Sequence, residues 1–374
     1  MKYERVRIGM IGCGGISGVM YLPHTNRKVA GCQVDLVATS DIVEERATQA
    51  MDRFGAKRAY ADYRDLLADD EVDAVVIATT IATHAGIALD AARAGKHILL
   101  QKPIAESLEE ADEVIAAAKA SGVKLQVEPA HMLNPLAVRA RRAIASGALG
   151  KIGLVQARSA HRGVDNRAWF YQREFGGSVM LDMGVHAITW VVSMVGPAQA
   201  VTAFARTALP KRAIDGVEID VDIEDNVAVL LDFGGGTLGN VISNYLSVAD
   251  ASPGYSVYGS EGTIHINPFP NPTQPAYMQL SRTESQGGEH GWHIPTTPGI
   301  REAPLPFQTM QVGRETPLYS SMGHFIQCLA EDREPIPSPD VARHVLEIMD
   351  KALVAARTGQ TQKLETTFTL AEGA

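Results

Sequence analysis

The sequence predicts an α/β chain: a doubly wound parallel sheet near the N-terminus, then an α+β half with a large, mostly antiparallel open sheet. Three observations predict it. Short apolar runs alternate with amphipathic stretches from Val6 to Val127, a glycine-rich turn follows the first run, and the rhythm changes near residue 130. Strand and helix in alternation call for parallel strands with helical crossovers, whereas strands that follow one another pair as antiparallel neighbours.

In the first half, RVRIGMIG, VDLVATSD, DAVVIATT, HILLQKP and KLQVEP read as buried strands. Residues 84–95 read as a helix, with Ile87, Ala88 and Ala91 at helical spacing and Gly95 at the C-terminal cap. Residues 107–122 read as another, opened by a capping box of Ser107 and Glu110 ahead of Ala111, Val114, Ile115 and Ala118. Beyond residue 130, Asn134 caps a helix with Pro135 at its first position, running to Ser146-Gly147. EDNVAVLLDF and TLGNVISNYL form an antiparallel pair around glycines 234–236, with Val227, Val229, Leu231 and Phe233 on one face. VQARSAHR, AVTAFART and YSVYGSEGTIHI supply further strands. Such a sheet needs cover from helices or a second subunit. Residues 267–308, rich in Pro and Gly, read as a long loop or lid, and a helix over 340–358 precedes a last strand near LETTFTL. The expected division is therefore 1–130 and 131–374.

Composition narrows the function classes. The 374 residues carry 34 Lys+Arg against 43 Asp+Glu, a formal net charge of −9. Nucleic acid and anionic membrane are thereby disfavoured as main partners, since both need a positive footprint. Cys13, Cys32 and Cys328 form no C-x-x-C pair and are too few for a disulfide scaffold, which points to a reducing, cytoplasmic setting. The N-terminus lacks a signal-peptide apolar core, and no apolar run reaches the roughly 18 residues of a membrane span.

The first chemical constellation is a dinucleotide site. Gly12-Cys13-Gly14-Gly15-Ile16-Ser17 follows the first strand and opens a helix, and Asp41 ends the second strand. Gly12 permits the tight turn, Gly14 the close approach of a pyrophosphate, and Ser17 stands where the fingerprint has Gly or Ala. Free N–H groups at the helix start receive phosphate charge. Asp41 suits the ribose hydroxyls and repels a 2′-phosphate, so NAD is expected over NADP. A second constellation is Gln101-Lys102-Pro103, placed where a parallel strand delivers residues to a ligand crevice and kept extended by the proline. A third is Asp182-Met183-Gly184-Val185-His186. On a helix Asp182 and His186 share a face, so the carboxylate would orient the imidazole as a general base. Arg158, His161 and Arg162 are candidates for the sheet face near the crevice, and Trp169, Phe170 and Tyr171 for an apolar wall against a ligand ring. His290, Trp292 and His293 fall in the Pro-rich region, where an H-x-x-H without further ligands makes a poor metal site. No metal is expected.

GCGGIS, Asp41, THAGIALDAARAGKHILLQKP and GGSVMLDMGVH together resemble the Gfo/Idh/MocA oxidoreductases, the glucose–fructose oxidoreductase and inositol dehydrogenase superfamily. The resemblance implies a Rossmann domain, a second domain whose open sheet builds homodimers or homotetramers, and catalysis by Lys102, Asp182 and His186. It further implies cofactor contacts at Thr79, Thr80, His84 and Gln101. It departs at Gln101, where the family has Glu, and at Thr80-Ile81, Met132-Leu133 and Thr189. The activity implied is an NAD-dependent dehydrogenase acting on a secondary hydroxyl of a sugar, sugar derivative or cyclitol. Two alternatives share the fold: a redox-neutral enzyme cleaving or epimerising glycosides through a keto-sugar, and a non-catalytic NAD-binding sensor. Retention of the Lys, Asp and His disfavours the sensor.

Overall fold

The computed structural model describes residues 4–29, 31–248, 254–267, 276–282, 308–312 and 321–370. Strands β1 (Arg5–Ile11), β2 (Arg27–Val29), β3 (Cys32–Ser40), β4 (Arg58–Tyr60), β5 (Ala74–Ile77), β6 (His97–Leu100) and β7 (Leu125–Val127) make one sheet. Its order is β2-β3-β1-β5-β6-β7; β4 runs parallel to β3 and the short β2 runs antiparallel to it. The order reverses between β1 and β5, so the crevice at their carboxyl ends is where a dinucleotide binds. Helices α1 (Gly15–Met20), α2 (Glu44–Phe54), α3 (Tyr63–Leu67), α4 (His84–Arg93) and α5 (Leu108–Ala120) connect the strands. Ser107 accepts a hydrogen bond from the Glu110 N–H, and Gly95 sits at φ +70°, so the expected start of α5 and end of α4 are both realised.

Both faces of this sheet are buried, which explains its near-continuous apolar strands. Val75 and Ile77 face one side, with Ile87, Ala88 and Ala91 of α4 and Val114 of α5. Val6, Ile8, Met10, Ala74 and Val76 face the other, and there they meet a helix from far along the chain, α8 (Ser321–Glu331). Met322, Phe325, Ile326 and Leu329 of α8 complete that core. Their spacing is helical, although the sequence reading assigned no helix there.

The second sheet comprises β8 (Ile152–Ala160), β9 (Ala200–Arg206), β12 (Asn226–Asp232), β13 (Leu238–Asn244), β14 (Tyr255–Gly259), β15 (Gly262–Asn267), β16 (Ala276–Arg282), β17 (Gln308–Val312) and β18 (Gln362–Lys363). A hairpin of β10 (Lys211–Ile214) and β11 (Val217–Asp220) stands apart. All neighbours in the order β17-β16-β15-β14-β8-β13-β12-β9-β18 are antiparallel except β8 and β13. Residues 276–282 are thus a strand where a loop was expected; the last strand is Gln362–Lys363, just ahead of the expected segment. Helices α6 (Pro135–Ala145), α7 (Val185–Val195) and α9 (Pro339–Thr358) complete the fold. Asn134 caps α6 as expected, accepting from the Leu136 N–H. One sheet face packs on α7, which is apolar all round because it is buried all round. The opposite face leaves Phe204, Leu230 and Leu238 exposed.

The C-terminal segment is fastened by buried polar groups. The Ala198 N–H donates to Nε2 of His344, so its Nδ1–H donates to Thr366 Oγ1, and the Thr366 hydroxyl donates to Glu347. Glu347 also accepts from the N–H groups of Glu365 and Thr366 at 2.8 Å each and pairs with Lys351. Burial acts to raise the Glu347 pKa, but Lys351 and these donors outweigh it and hold the carboxyl at about 2. A depressed acid pKa stabilises the fold fully above the unfolded value and loses that contribution as pH falls through the folded one. Glu347→Gln is therefore expected to cost on the order of 2 kcal/mol at pH 7. In urea melts across pH, the deficit should shrink between pH 4.5 and 2, the span of the shift; a deficit constant with pH would contradict this.

Candidate active site

The cofactor cradle forms where β1, β3 and β5 end together. The Gly12 N–H donates to Ser40 O at 2.8 Å; with φ +87°, a Cβ on Gly12 would lie 2.4 Å from Ala78 O. Only glycine fits there. A Cβ on Gly14 would meet nothing within 4 Å, and one on Gly15 would meet only the Arg167 guanidinium at 3.3 Å, so the backbone of this turn lies open to a ligand. Ile16 is exposed beside it. The Asp41 carboxylate accepts from the Cys13 N–H at 2.8 Å and the Val43 N–H at 2.9 Å, which sets an anion at the edge of the turn. An open glycine cradle with a carboxylate at the second strand end fits NAD. Thr79 and Thr80 lie at the β5 exit, tied to Thr83 through the Thr79 hydroxyl and the Thr80 carbonyl.

Two residues expected at the cofactor are turned inward. Ser17 is fully buried and its hydroxyl donates to Gly12 O at 2.5 Å, closing the turn from inside. His84 is buried too, with Nδ1 2.8 Å from Pro103 O and Nε2 3.3 Å from Thr79 O. Its ring fastens the β5 exit to the Lys102-Pro103 segment and has no face left for a cofactor.

Gln101 has a similar inward role. Its amide donates to the Tyr21 hydroxyl and accepts from the Lys102 N–H at 3.2 Å. The Tyr21 hydroxyl in turn donates to Glu128 at 3.3 Å, and Glu128 also accepts from the Ser321 hydroxyl and, at 3.1 Å, from the Ala130 N–H. Burial raises the Glu128 pKa against the pull of these three donors. A glutamate at 101 would lack the donor that meets the Tyr21 oxygen and would compete with Glu128 for its single proton. The departure from Glu at 101 is thus coupled to a buried acid at 128.

Lys102 and Asp182 meet from opposite sides of the crevice. Lys102 Nζ lies 3.1 Å from Asp182 Oδ1 and 3.0 Å from the Asp182 carbonyl oxygen. Tyr245 donates its hydroxyl to Oδ2 at 3.0 Å, and His161 Nε2 lies 3.5 Å from the same oxygen. Burial works to raise the Asp182 pKa, but His161 and Lys102 outweigh it and hold the carboxyl well below its usual range.

The expectation that Asp182 orients His186 is corrected by the backbone. Residues Met180–Gly184 form a π-helical turn before α7 begins at Val185. The wider i→i+5 turn separates side chains that an α-helix would stack. The carboxylate consequently serves Lys102, Tyr245 and His161, and the partner of His186 is His131, whose Nε2 lies 3.0 Å from His186 Nδ1. Burial, reinforced by Lys102, pushes His131 down to about 4; burial, Lys102 and His131 push His186 well below its ordinary value.

The substrate candidates divide. His161 is at the cluster. Arg158 is not: β8 alternates, Val155 and Ala157 pack into the core beneath α7, and Arg158 projects to the opposite face. Arg162 is exposed and paired with Asp165 at 2.8 Å. Trp169 is 42% exposed, enough to meet a ligand, with its ring 4.2 Å from that of Phe170; Phe170 lies 6.4 Å from Tyr245. Tyr171 is buried, its hydroxyl engaged by the Val164 N–H and C=O. His290, Trp292 and His293 lie outside the described residues. Sequence reasoning missed Tyr245 and His131. Tyr245 continues the inward parity of Val241 and Ser243 on β13, a readable signal; nothing local marks His131 as a partner of residue 186. No metal-binding cluster and no membrane-crossing helix occurs among the described residues.

The cradle and the Lys–Asp–His cluster together define an NAD-binding oxidoreductase. Residues 6–129 match the oxidoreductase family with an NAD-binding Rossmann fold, and residues 137–265 match the GFO/IDH/MocA C-terminal domain. The chain belongs to the Gfo/Idh/MocA oxidoreductases. The 1,5-anhydro-D-fructose reductase of Ensifer adhaerens is 30% identical over 263 residues, 69% of this chain and 74% of the reductase. The D-apiose dehydrogenase of Paraburkholderia graminis is 27% identical over 368 residues, 97% of this chain and 90% of that enzyme. Levoglucosan dehydrogenase in complex with NADH and levoglucosan shares the fold, with TM-score 0.79 and 22% identity over 96% of this chain and 99% of that one.

The two glycines of the cradle make separable predictions. Gly12→Ala should destabilise the apoprotein by roughly 2 kcal/mol or more, through its close contact and positive φ. Gly14→Ala should leave the melting temperature unchanged and weaken NAD by about tenfold or more, because its Cβ intrudes only on a bound pyrophosphate. Calorimetry and an NAD titration check both, and equal losses of stability would refute the distinction.

Proposed function

We propose that this protein is a cytoplasmic NAD-dependent dehydrogenase acting on a secondary hydroxyl of a neutral sugar, sugar derivative or cyclitol. The observation that carries the reading is the contact of Lys102 Nζ with Asp182, with His186 within the electrostatic reach of both, in a chain with an open dinucleotide cradle. Residues 1–130 hold the cofactor and 131–374 the substrate and the subunit contacts. When bound, NAD supplies the two-electron hydride acceptor.

Lys102 has three N–H donors, and two are spent on Asp182, which leaves one for a substrate oxygen. There it stabilises negative charge as the hydroxyl proton leaves. His186 Nδ1 is committed to His131, so Nε2 is the nitrogen that takes this proton. Asp182 fixes Lys102 and cancels its charge, which suits an uncharged polyol. His161, stacked near the buried Tyr245, presents a further polar group, and Trp169 with Phe170 offers the apolar face a sugar ring stacks on. The dehydrogenases and reductases among the relatives act on substrates of this class by name. The exposed Phe204, Leu230 and Leu238 support a homodimer or homotetramer built on the open sheet face. The net charge of −9 argues against nucleic acid as the main partner.

The purified protein, given NAD or NADP and a panel of sugars, glycosides and inositols, should form NADH with at least one polyol and prefer NAD. Failure to bind either dinucleotide overturns the reading. Lys102→Met and His186→Ala should each lower kcat by about a hundredfold or more while NAD affinity stays within about twofold. Near-wild-type turnover in both would remove the assigned roles. Protonated His186 cannot accept a proton, and its pKa is lowered by burial, Lys102 and His131. The acid limb of kcat/KM should therefore fall below pH 6.5, the ordinary histidine value; a limb at or above it would contradict the site's electrostatics.

A further inference from the structure

We propose that His131 is the positioning residue of the base: it accepts the Nδ1–H of His186 on its own Nε2 and so fixes the lone pair of His186 on Nε2, facing substrate. The direction assigned to this hydrogen bond rests on the dehydrogenase reading above; the contact between the two rings does not.

The two ring nitrogens are 3.0 Å apart, and the ring centroids are 5.1 Å apart at 49°. Between two neutral imidazoles one ring donates and the other accepts. If His131 donated, His186 would carry its proton on Nε2 and present an N–H where a base needs a lone pair. The reverse arrangement leaves Nε2 free, and after proton uptake the His186 imidazolium still donates from Nδ1 to a neutral partner through a stronger, charge-assisted bond. The three groups that act on His186 are Lys102 from the β6 exit, Asp182 from the π-helical turn and His131 itself. Asp182 is occupied elsewhere, with its oxygens on Lys102, Tyr245 and His161. The orienting role therefore passes to His131.

The identity of the partner matters chemically. A carboxylate against Nδ1 would orient the ring and raise its pKa, whereas a neutral imidazole orients the ring without raising it. Burial and Lys102 keep His131 neutral. The residue is also well anchored. It opens a 3₁₀ turn, His131–Leu133, directly after Ala130, whose N–H is held by Glu128. Glu128 in turn is tied to Tyr21 and Ser321.

The test uses the full chain with ¹⁵N-labelled histidine, without cofactor, at neutral pH; His186→Gln assigns the signals. The expected result is His186 protonated on Nδ1 with a free Nε2, and a change in that tautomer pattern in His131→Leu. Kinetically, His131→Leu should lower kcat by about tenfold or more with NAD affinity unchanged, and His131→Gln, whose amide oxygen can accept the same N–H, should recover activity to within about threefold of wild type. A wild-type His186 protonated on Nε2 overturns the proposal, as does a His131→Leu protein that keeps both tautomer and turnover. If His131→Leu does not fold, the wild-type tautomer and the His131→Gln rate decide. A wild type that oxidises no polyol refutes the dehydrogenase reading instead, and the NMR result still decides the tautomer.

Discussion

The contact between Lys102 and Asp182 is the constraint on which the rest of the site depends. It joins the exit of a parallel strand to the turn before α7, and so connects the first sheet to the elements packed on the second through one ammonium and one carboxylate, 18% and 26% exposed. A partly buried ion pair costs desolvation, and only additional hydrogen bonds make its geometry reliable. Here they are present. Tyr245 and His161 occupy Oδ2, and the Asp182 carbonyl takes a second Lys102 proton. The carboxylate stays ionised in spite of burial, so the lysine is held at the crevice and its remaining N–H is aimed by geometry.

The π-helical turn is what makes this allocation possible. In an uninterrupted α-helix Asp182 and His186 would lie on one face, and the carboxylate would be divided between the lysine and the histidine. A base coupled closely to a carboxylate has its pKa raised. Met180–Gly184 in the wider turn separates the two side chains, and α7 then proceeds from Val185 as a regular buried helix. Gly184 itself is tightly packed, since a Cβ there would lie 2.9 Å from the Met180 sulfur. A local irregularity in the backbone in this way gives the two side chains different hydrogen-bond partners.

Much of the fold was legible because it is written in short-range patterns. Alternating apolar runs located β1, β3, β5, β6 and β7; Ser107 and Asn134 marked helix starts, and the glycines at 234–236 marked the hairpin. In the candidate site, position was legible for the residues at strand ends, Gly12, Asp41 and Lys102. It was not legible where a side chain's direction depends on distant packing. His84 and Ser17 turn inward because carbonyl oxygens await them there, and Arg158 points away because Val155 and Ala157 must face α7. The His131–His186 pair spans 55 positions in sequence. No local pattern encodes such a contact; it arises where the turn at His131–Leu133 packs on the start of α7.

The placement of acids follows the same logic as the separation of Asp182 from His186. A glutamate at 101 would add a negative charge next to Lys102 and compete with Asp182 for its ammonium. In this chain the neighbouring acid is Glu128, reached from Gln101 through the Tyr21 hydroxyl and surrounded by the Ser321 and Ala130 donors. Its position props the Lys102 backbone on one side through Gln101 and the His131 backbone on the other through Ala130. One buried carboxylate therefore supports both Lys102 and His131 without contacting either side chain. Among the described residues Asp182 is the one acid paired with this lysine, although acidic residues outnumber basic ones in the chain as a whole, 43 to 34.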